Sequence, residues 1–131
     1  MRIAILEDDR DQANIVDVWL ADAGHQPSIY HAGSQIVGAL STDSFDLVVL
    51  DWEVPDMSGF EVLKWIRENL DWGCPVIFIT QRDEEEHVVQ ALEAGADDYM
   101  TKPIKRVEML ARIAAVHRRN NPPQELSLIH I

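Results

Sequence analysis

A chain of 131 residues, 47% hydrophobic and 26% charged, has the size of one domain and enough apolar content to bury a core, which excludes a disordered chain. A formal net charge of −12 disfavours direct binding to nucleic acid or to an anionic membrane surface. The first apolar run, IAIL, is broken at once by EDD, and Cys74 is alone and reads as a small buried hydrophobe, so the chain is expected to be cytoplasmic, reduced and not membrane-bound.

Short apolar runs at 2–6, 27–30, 45–50, 75–80 and 97–100 predict strands, and helical-period segments at 10–23, 34–40, 59–69, 84–94 and 105–119 predict the helices between them. The first strand ends in Glu7, Asp8 and Asp9, of which Asp9 reads as the cap of the following helix. Gly24 and Gly95 stand just past helical runs, where C′ residues belong. The third strand, FDLVVL, stops on a carboxylate, Asp51. In the third helix Phe60, Leu63 and Ile66 recur on one face while Glu61, Lys64 and Glu68 face out, and Ser58 with Glu61 predicts a capping box. The fourth strand ends on Thr80, and the fifth is followed by Lys102 and Pro103. Residues 1–119 form the predicted domain; the tail NNPPQELSLIHI (120–131) reads as a linker, leading either into a further domain or to an artificial end.

Five strands alternating with helices imply an α/β fold: a parallel sheet covered on both faces, because parallel neighbours need long crossovers. Ligands of such sheets sit beyond the carboxyl ends of the strands. That edge collects Glu7, Asp8, Asp51, Thr80 and Lys102. Two carboxylates 4 Å apart repel by roughly 4 kcal/mol at an effective dielectric of 20, so a cation must relieve them. Hard oxygen donors that leave room for water and a phosphoryl oxygen favour Mg²⁺ over Ca²⁺. Singly, each feature has a plain alternative: EDD as a helix cap, Lys102 as a turn lysine, Thr80 as a strand threonine. Their convergence on one sheet edge carries the reading.

The segments IAILEDD, DLVVLDWEVPDMSGFEVL, PVIFIT and LEAGADDYMTKP resemble, in this order, those of bacterial response-regulator receiver domains, and the likeness runs from Arg2 to about Arg119. The resemblance implies a flavodoxin-like, doubly wound (βα)5 fold of five parallel strands in the order 2-1-3-4-5. It implies Asp51 as phosphoacceptor for a sensor histidine kinase, with Mg²⁺ held by Asp8 directly, by Glu7 through water, by Asp51 and by the Glu53 carbonyl. Thr80 and Lys102 match the groups that bind the phosphoryl oxygens, and Thr80 with Tyr99 the switch pair. The domain would be a phosphoacceptor that assists its own phosphorylation and dephosphorylation, and not an enzyme with an external product.

KPIKRVEMLARIAAVHRR, Asp97, Asp98 and Arg112 resemble receivers that precede winged-helix DNA-binding domains, which dimerise on activation through the fourth helix, fifth strand and fifth helix. DNA would then be reached only through an effector domain outside this chain. Two departures stand out. Val88 and Gln90 occupy the fourth helix where that class carries basic residues, which suggests an apolar contact through Val88; Gln81 follows Thr80 where the family has a small residue, which suggests a hindered acyl phosphate. Trp52, beside Asp51, is expected at the rim of the site, and the five histidines show no metal-ligand spacing. Alternatives are a stand-alone receiver acting by protein binding, and a phosphatase, against which Glu53 stands where a second aspartate would be expected.

Overall fold

Alternate residues of a strand point to opposite faces of a sheet, and here both faces are apolar. In the computed structural model, which describes residues 1–70 and 73–120, the chain runs β1 (Arg2–Leu6), α1 (Arg10–Asp22), β2 (Gln26–Tyr30), α2 (Gly33–Thr42), β3 (Leu47–Leu50), α3 (Gly59–Asn69), β4 (Val76–Thr80), α4 (Glu85–Glu93), β5 (Asp98–Thr101) and α5 (Arg106–Asn120). All strand pairs are parallel, in the order β2-β1-β3-β4-β5, the expected flavodoxin-like arrangement.

The central strands β3 and β4 are buried along their whole length. From them Val48, Leu50, Val76 and Phe78 face one layer, with Ile36, Val62, Leu63 and Ile66 of α2 and α3. Leu47, Val49, Ile77 and Ile79 face the other, with Val16 and Leu20 of α1 and Met109, Ile113 and Val116 of α5. Burying each such side chain contributes roughly 1.5–3 kcal/mol, so the two apolar layers hold the strands rigid between them.

Local signals act as read. The Ser58 hydroxyl accepts from the Glu61 amide at 3.2 Å, and the Glu61 carboxylate accepts from the Ser58 amide at 3.3 Å. Asp9 caps α1, accepting from the amides of Asp11 and Gln12. Gly24 and Gly95 follow their helices at φ 90° and 111°, which side chains with a Cβ resist. At the amino edge of the sheet Asp97 accepts from the Val76 amide at 2.8 Å and from Arg67 at 3.3 Å, and Arg67 also binds the carbonyls of Gly95 and Cys74. Asp97 is thus committed inside the fold, at the edge opposite the carboxyl ends of the strands.

The last helix continues to Asn120, one residue past the predicted domain end; the rest of the predicted tail, and Trp72, lie outside the described residues. Among the described residues no helix is long and apolar enough to cross a membrane.

Two outcomes follow. A Cβ at Gly59 would collide with the Asp51 carbonyl oxygen, a backbone atom that cannot swing aside, so Gly59→Ala should cost about 1–3 kcal/mol in urea unfolding. Burial pushes the Cys74 thiol up to about 12, so the folded protein should resist alkylation near neutral pH and react only once unfolded.

Candidate functional site

The ladder that ends the strands also places the polar residues. The Glu7 amide donates to the Tyr30 carbonyl at 2.9 Å, the Asp51 amide to Leu6 at 3.0 Å and the Lys102 amide to Thr80 at 2.8 Å. Glu7 and Asp51 therefore leave the sheet at one level of the ladder, and Lys102 leaves it two residues further along, past the end of β5. Glu7, Asp51 and Thr80 are the buried polar residues of the described chain, at 4%, 6% and 0% exposure.

One ammonium joins two of them: Lys102 Nζ lies 2.6 Å from Glu7 Oε1 and 2.7 Å from Asp51 Oδ2. These are charge-assisted bonds between groups nearly closed to solvent, and the pairing is what makes two buried acids tolerable. Burial pushes the Glu7 carboxyl up, with Lys102 opposing and Asp51 adding to the rise. Burial by itself would pull Lys102 down, but its bonds to Asp51 and Glu7 outweigh it and hold the ammonium above its ordinary value.

Exposed Asp8 joins them at the mouth. One carboxylate oxygen from each of Glu7, Asp8 and Asp51 lies within 4.8 Å of the others. Three carboxylates less one ammonium leave two formal negative charges on an all-oxygen donor set, which fits a hard divalent cation. The cleft above has a volume of about 400 Å³, with Gln12, Glu53 and Gln81 completing its walls. Gln81 lines this cleft. A larger depression of about 600 Å³ runs along Glu85, Glu86, Val89, Gln90 and Glu93 of α4, a lining that, among the described residues, is acidic, polar and apolar.

The remaining predicted residues surround this cluster. The Glu53 amide donates to Asp51 Oδ1 at 3.4 Å, while its carboxylate turns away to Arg82, whose Nε donates at 2.7 Å. Thr80 Oγ1 accepts a long bond from the Arg82 amide, also 3.4 Å. Tyr99 is half-buried with its ring stacked on Phe78 at 5.6 Å, and its hydroxyl donates to the Arg82 carbonyl at 2.7 Å. Burial pushes that phenol up to about 12.

Trp52 is not at the rim. At 7% exposure it lies under the Arg82 guanidinium, stacked on Phe60 at 5.0 Å and tilted against His87 at 5.4 Å, so its indole belongs to the core layer of α3. Val88 is half-buried as well, and α4 exposes Val89 and Leu92 instead. Sequence reading missed Arg82, whose only signal was a lone cation in QRDEEE, and His31, whose Nδ1 is 2.8 Å from the Glu7 carbonyl.

Comparisons with known proteins agree on one family. A family model described as a response regulator receiver domain matches residues 3–114. The chain is 40% identical over 122 residues to the phosphate regulon transcriptional regulatory protein PhoB of Escherichia coli, covering 92% of this chain and 53% of that protein. It is 35% identical to the DNA-binding response regulator MtrA of Mycolicibacterium paratuberculosis, covering 99% of this chain and 58% of that one. The chain thus spans about half the length of these curated relatives. Among solved structures, the receiver domain of a Francisella response regulator superposes with a TM-score of 0.86 at 26% identity, over 92% of this chain and 98% of that one.

Removal of the ammonium tests the electrostatics. Lys102→Met leaves Glu7 and Asp51 buried together and should cost about 3 kcal/mol near neutral pH. Glu7, already raised by burial, then holds its proton to still higher pH in the folded chain than in the unfolded one. The folded state therefore binds more protons, and the penalty should grow as urea unfolding is moved from about pH 5 to about pH 8.

Proposed function

We propose, given that the chain belongs to the response regulator receiver domain family, that it is a signalling switch whose Asp51 accepts a phosphoryl group from a sensor histidine kinase. Receivers of this family are signalling domains of two-component systems, and the chain's relatives include transcriptional regulators. The observation that carries the finer reading is the single ammonium of Lys102 shared between buried Glu7 and Asp51, with Asp8 beside them.

Phosphoryl transfer asks mainly for an in-line nucleophile and for positive charge where the equatorial oxygens gather negative charge. Lys102 holds Oδ2 of Asp51, and Oδ1, which meets a long bond from the Glu53 amide, is the less engaged oxygen and the one we assign to attack. Its bond to phosphorus forms as the bond from phosphorus to the donor imidazole breaks, and the departing imidazole takes up a proton. Asp8, Asp51 and the Glu53 carbonyl, with Glu7 through water, would hold Mg²⁺, which when bound neutralises charge on the phosphoryl oxygens. Lys102 adds a second cation to them, and Thr80 adds a hydroxyl donor. Gln81 lines the cleft, and in this reading its bulk hinders the approach of a hydrolytic water and lengthens the life of the acyl phosphate.

The new charge biases the loop after β4 and, through Thr80 and Tyr99, the surface formed by α4, β5 and α5. That surface controls an effector domain, and DNA is reached through the effector, by analogy with relatives whose names are those of DNA-binding and transcriptional regulators. Dimerisation on activation belongs to the same proposal. Val89 and Leu92 supply its apolar contact; Arg112 is already paired to Asp98 within the chain at 3.2 Å.

Incubation with acetyl phosphate and Mg²⁺ should add one phosphoryl group to the wild type by intact mass, and nothing to Asp51→Asn or to the wild type in EDTA. Equal labelling of Asp51→Asn sinks the assignment. In Gln81→Ala the label should decay several-fold faster; an unchanged half-life removes the role given to Gln81.

A further inference from the structure

Arg82 touches each element that the switch has to connect. Its guanidinium lies 4.9 Å over the Trp52 ring, and Nε donates to Glu53 Oε1 at 2.7 Å while Nη2 closes on the same oxygen. Nη1 approaches His87 Nε2 at 3.3 Å, and His87 Nδ1 is 3.0 Å from Glu84. The main chain of the same residue bonds elsewhere: its carbonyl accepts the Tyr99 hydroxyl at 2.7 Å, and its amide reaches Thr80 Oγ1 at 3.4 Å. Trp52 and Glu53 directly follow Asp51, whereas Thr80 ends β4 and Tyr99 lies in β5.

The ordinary reading of such a pair is a surface ion pair worth about 0–1 kcal/mol, and the 66% exposure of the Glu53 side chain agrees with that energy. Position is another matter. A guanidinium held over an indole and by two of its nitrogens on one carboxylate oxygen has its position fixed from two sides. The carbonyl that receives Tyr99 hangs from the same Cα.

We propose that Arg82 is a positioning residue: anchorage of its guanidinium on Trp52 and Glu53 sets its carbonyl, and thereby the docking of Tyr99, so that charge added at Asp51 reaches Tyr99 through this side chain as well as through Thr80. The last step rests on Asp51 being the phosphoacceptor. A phosphoryl group carries about −1.5 to −2 charges and strong acceptor oxygens, attached one residue before Trp52 and two before Glu53. It competes with Glu53 for the guanidinium, which supplies the differential interaction that any two-state coupling requires.

The test is ¹⁹F NMR of protein labelled with 3-fluorotyrosine. The chain has two tyrosines, and Tyr30 at the end of β2 serves as internal control. In the unliganded protein Arg82→Ala should move the Tyr99 resonance toward that of free fluorotyrosine and leave Tyr30 in place. Glu53→Gln should move it the same way, and the double variant should add little to either alone. Arg82→Lys, which keeps the charge and loses the fork, should recover part of the shift. With Mg²⁺ and beryllofluoride, Tyr99 should respond in the wild type, whereas Arg82→Ala should bind the mimic and show a much smaller Tyr99 response.

An unliganded Tyr99 resonance in Arg82→Ala that coincides with wild type overturns the proposal, whether or not the variant is less stable. A full Tyr99 response to bound mimic in Arg82→Ala also overturns it. If wild type takes up no beryllofluoride while the unliganded shifts appear, the acceptor reading of Asp51 fails and the positioning role stands.

Discussion

Two acids buried around one ammonium is the arrangement on which the site depends. Glu7 and Asp51 come from neighbouring strands, β1 and β3, so their closeness is dictated by the parallel ladder that pairs Leu6 with Leu50. Lys102 comes from the end of β5, with β4 between it and β3. At about 4.8 Å per strand that is roughly 10 Å, which only a long side chain crosses. Neither acid is tolerable in a nearly closed setting without Lys102, and a buried lysine without acids would be equally costly. The three residues therefore hold together or fail together, and the sheet order is what makes them meet.

The scaffold supports this by rigidity on both faces. Two apolar layers clamp β3 and β4, and the start of α3 packs against the Asp51 carbonyl through Gly59, with the Ser58 and Glu61 capping box fixing the helix end. The Asp51 carboxylate is thus placed by backbone and not by the choice of a flexible side chain, the kind of preorganisation on which the proposed transfer chemistry would rely.

Much of this was legible in the sequence because it depends on alternation and on chain order. The strand runs pointed to a parallel sheet, the family resemblance supplied its order, and the acids, threonine and lysine at the strand ends pointed to the candidate site. Boundaries shifted where partners decide them: Phe45 is buried, yet the pairing of β3 with β1 starts only at Ile3 with Leu47. In α4 the apolar set Val88, Val89, Ala91 and Leu92 leaves the helical phase open, and the structure settles it by burying Ala91 and turning Val89 and Leu92 outward. Trp52 was misplaced because nothing local announces that Arg82, thirty positions on, will cover it. Contacts between two loops depend on the sheet that brings the loops together, and periodicity carries no trace of them.

The helices are not held equally. α3 buries Gly59, Val62, Leu63 and Ile66 and carries a full capping box, whereas α4 buries Ala91 alone and has no side-chain cap. Its first turn bears Glu85 and Glu86, a favourable placement against the helix dipole, but one that contributes only about 0.3–1 kcal/mol each. Regions with few buried apolar contacts open and shift at the lowest free-energy cost. The loop that leads into α4 follows Thr80 and contains Arg82, so the segment in contact with the loop after β3 is continuous with the helix that packing restrains least. Under the proposed function, a charge placed on a rigid strand end would act on the part of the fold where a modest electrostatic energy is large compared with what holds the structure in place.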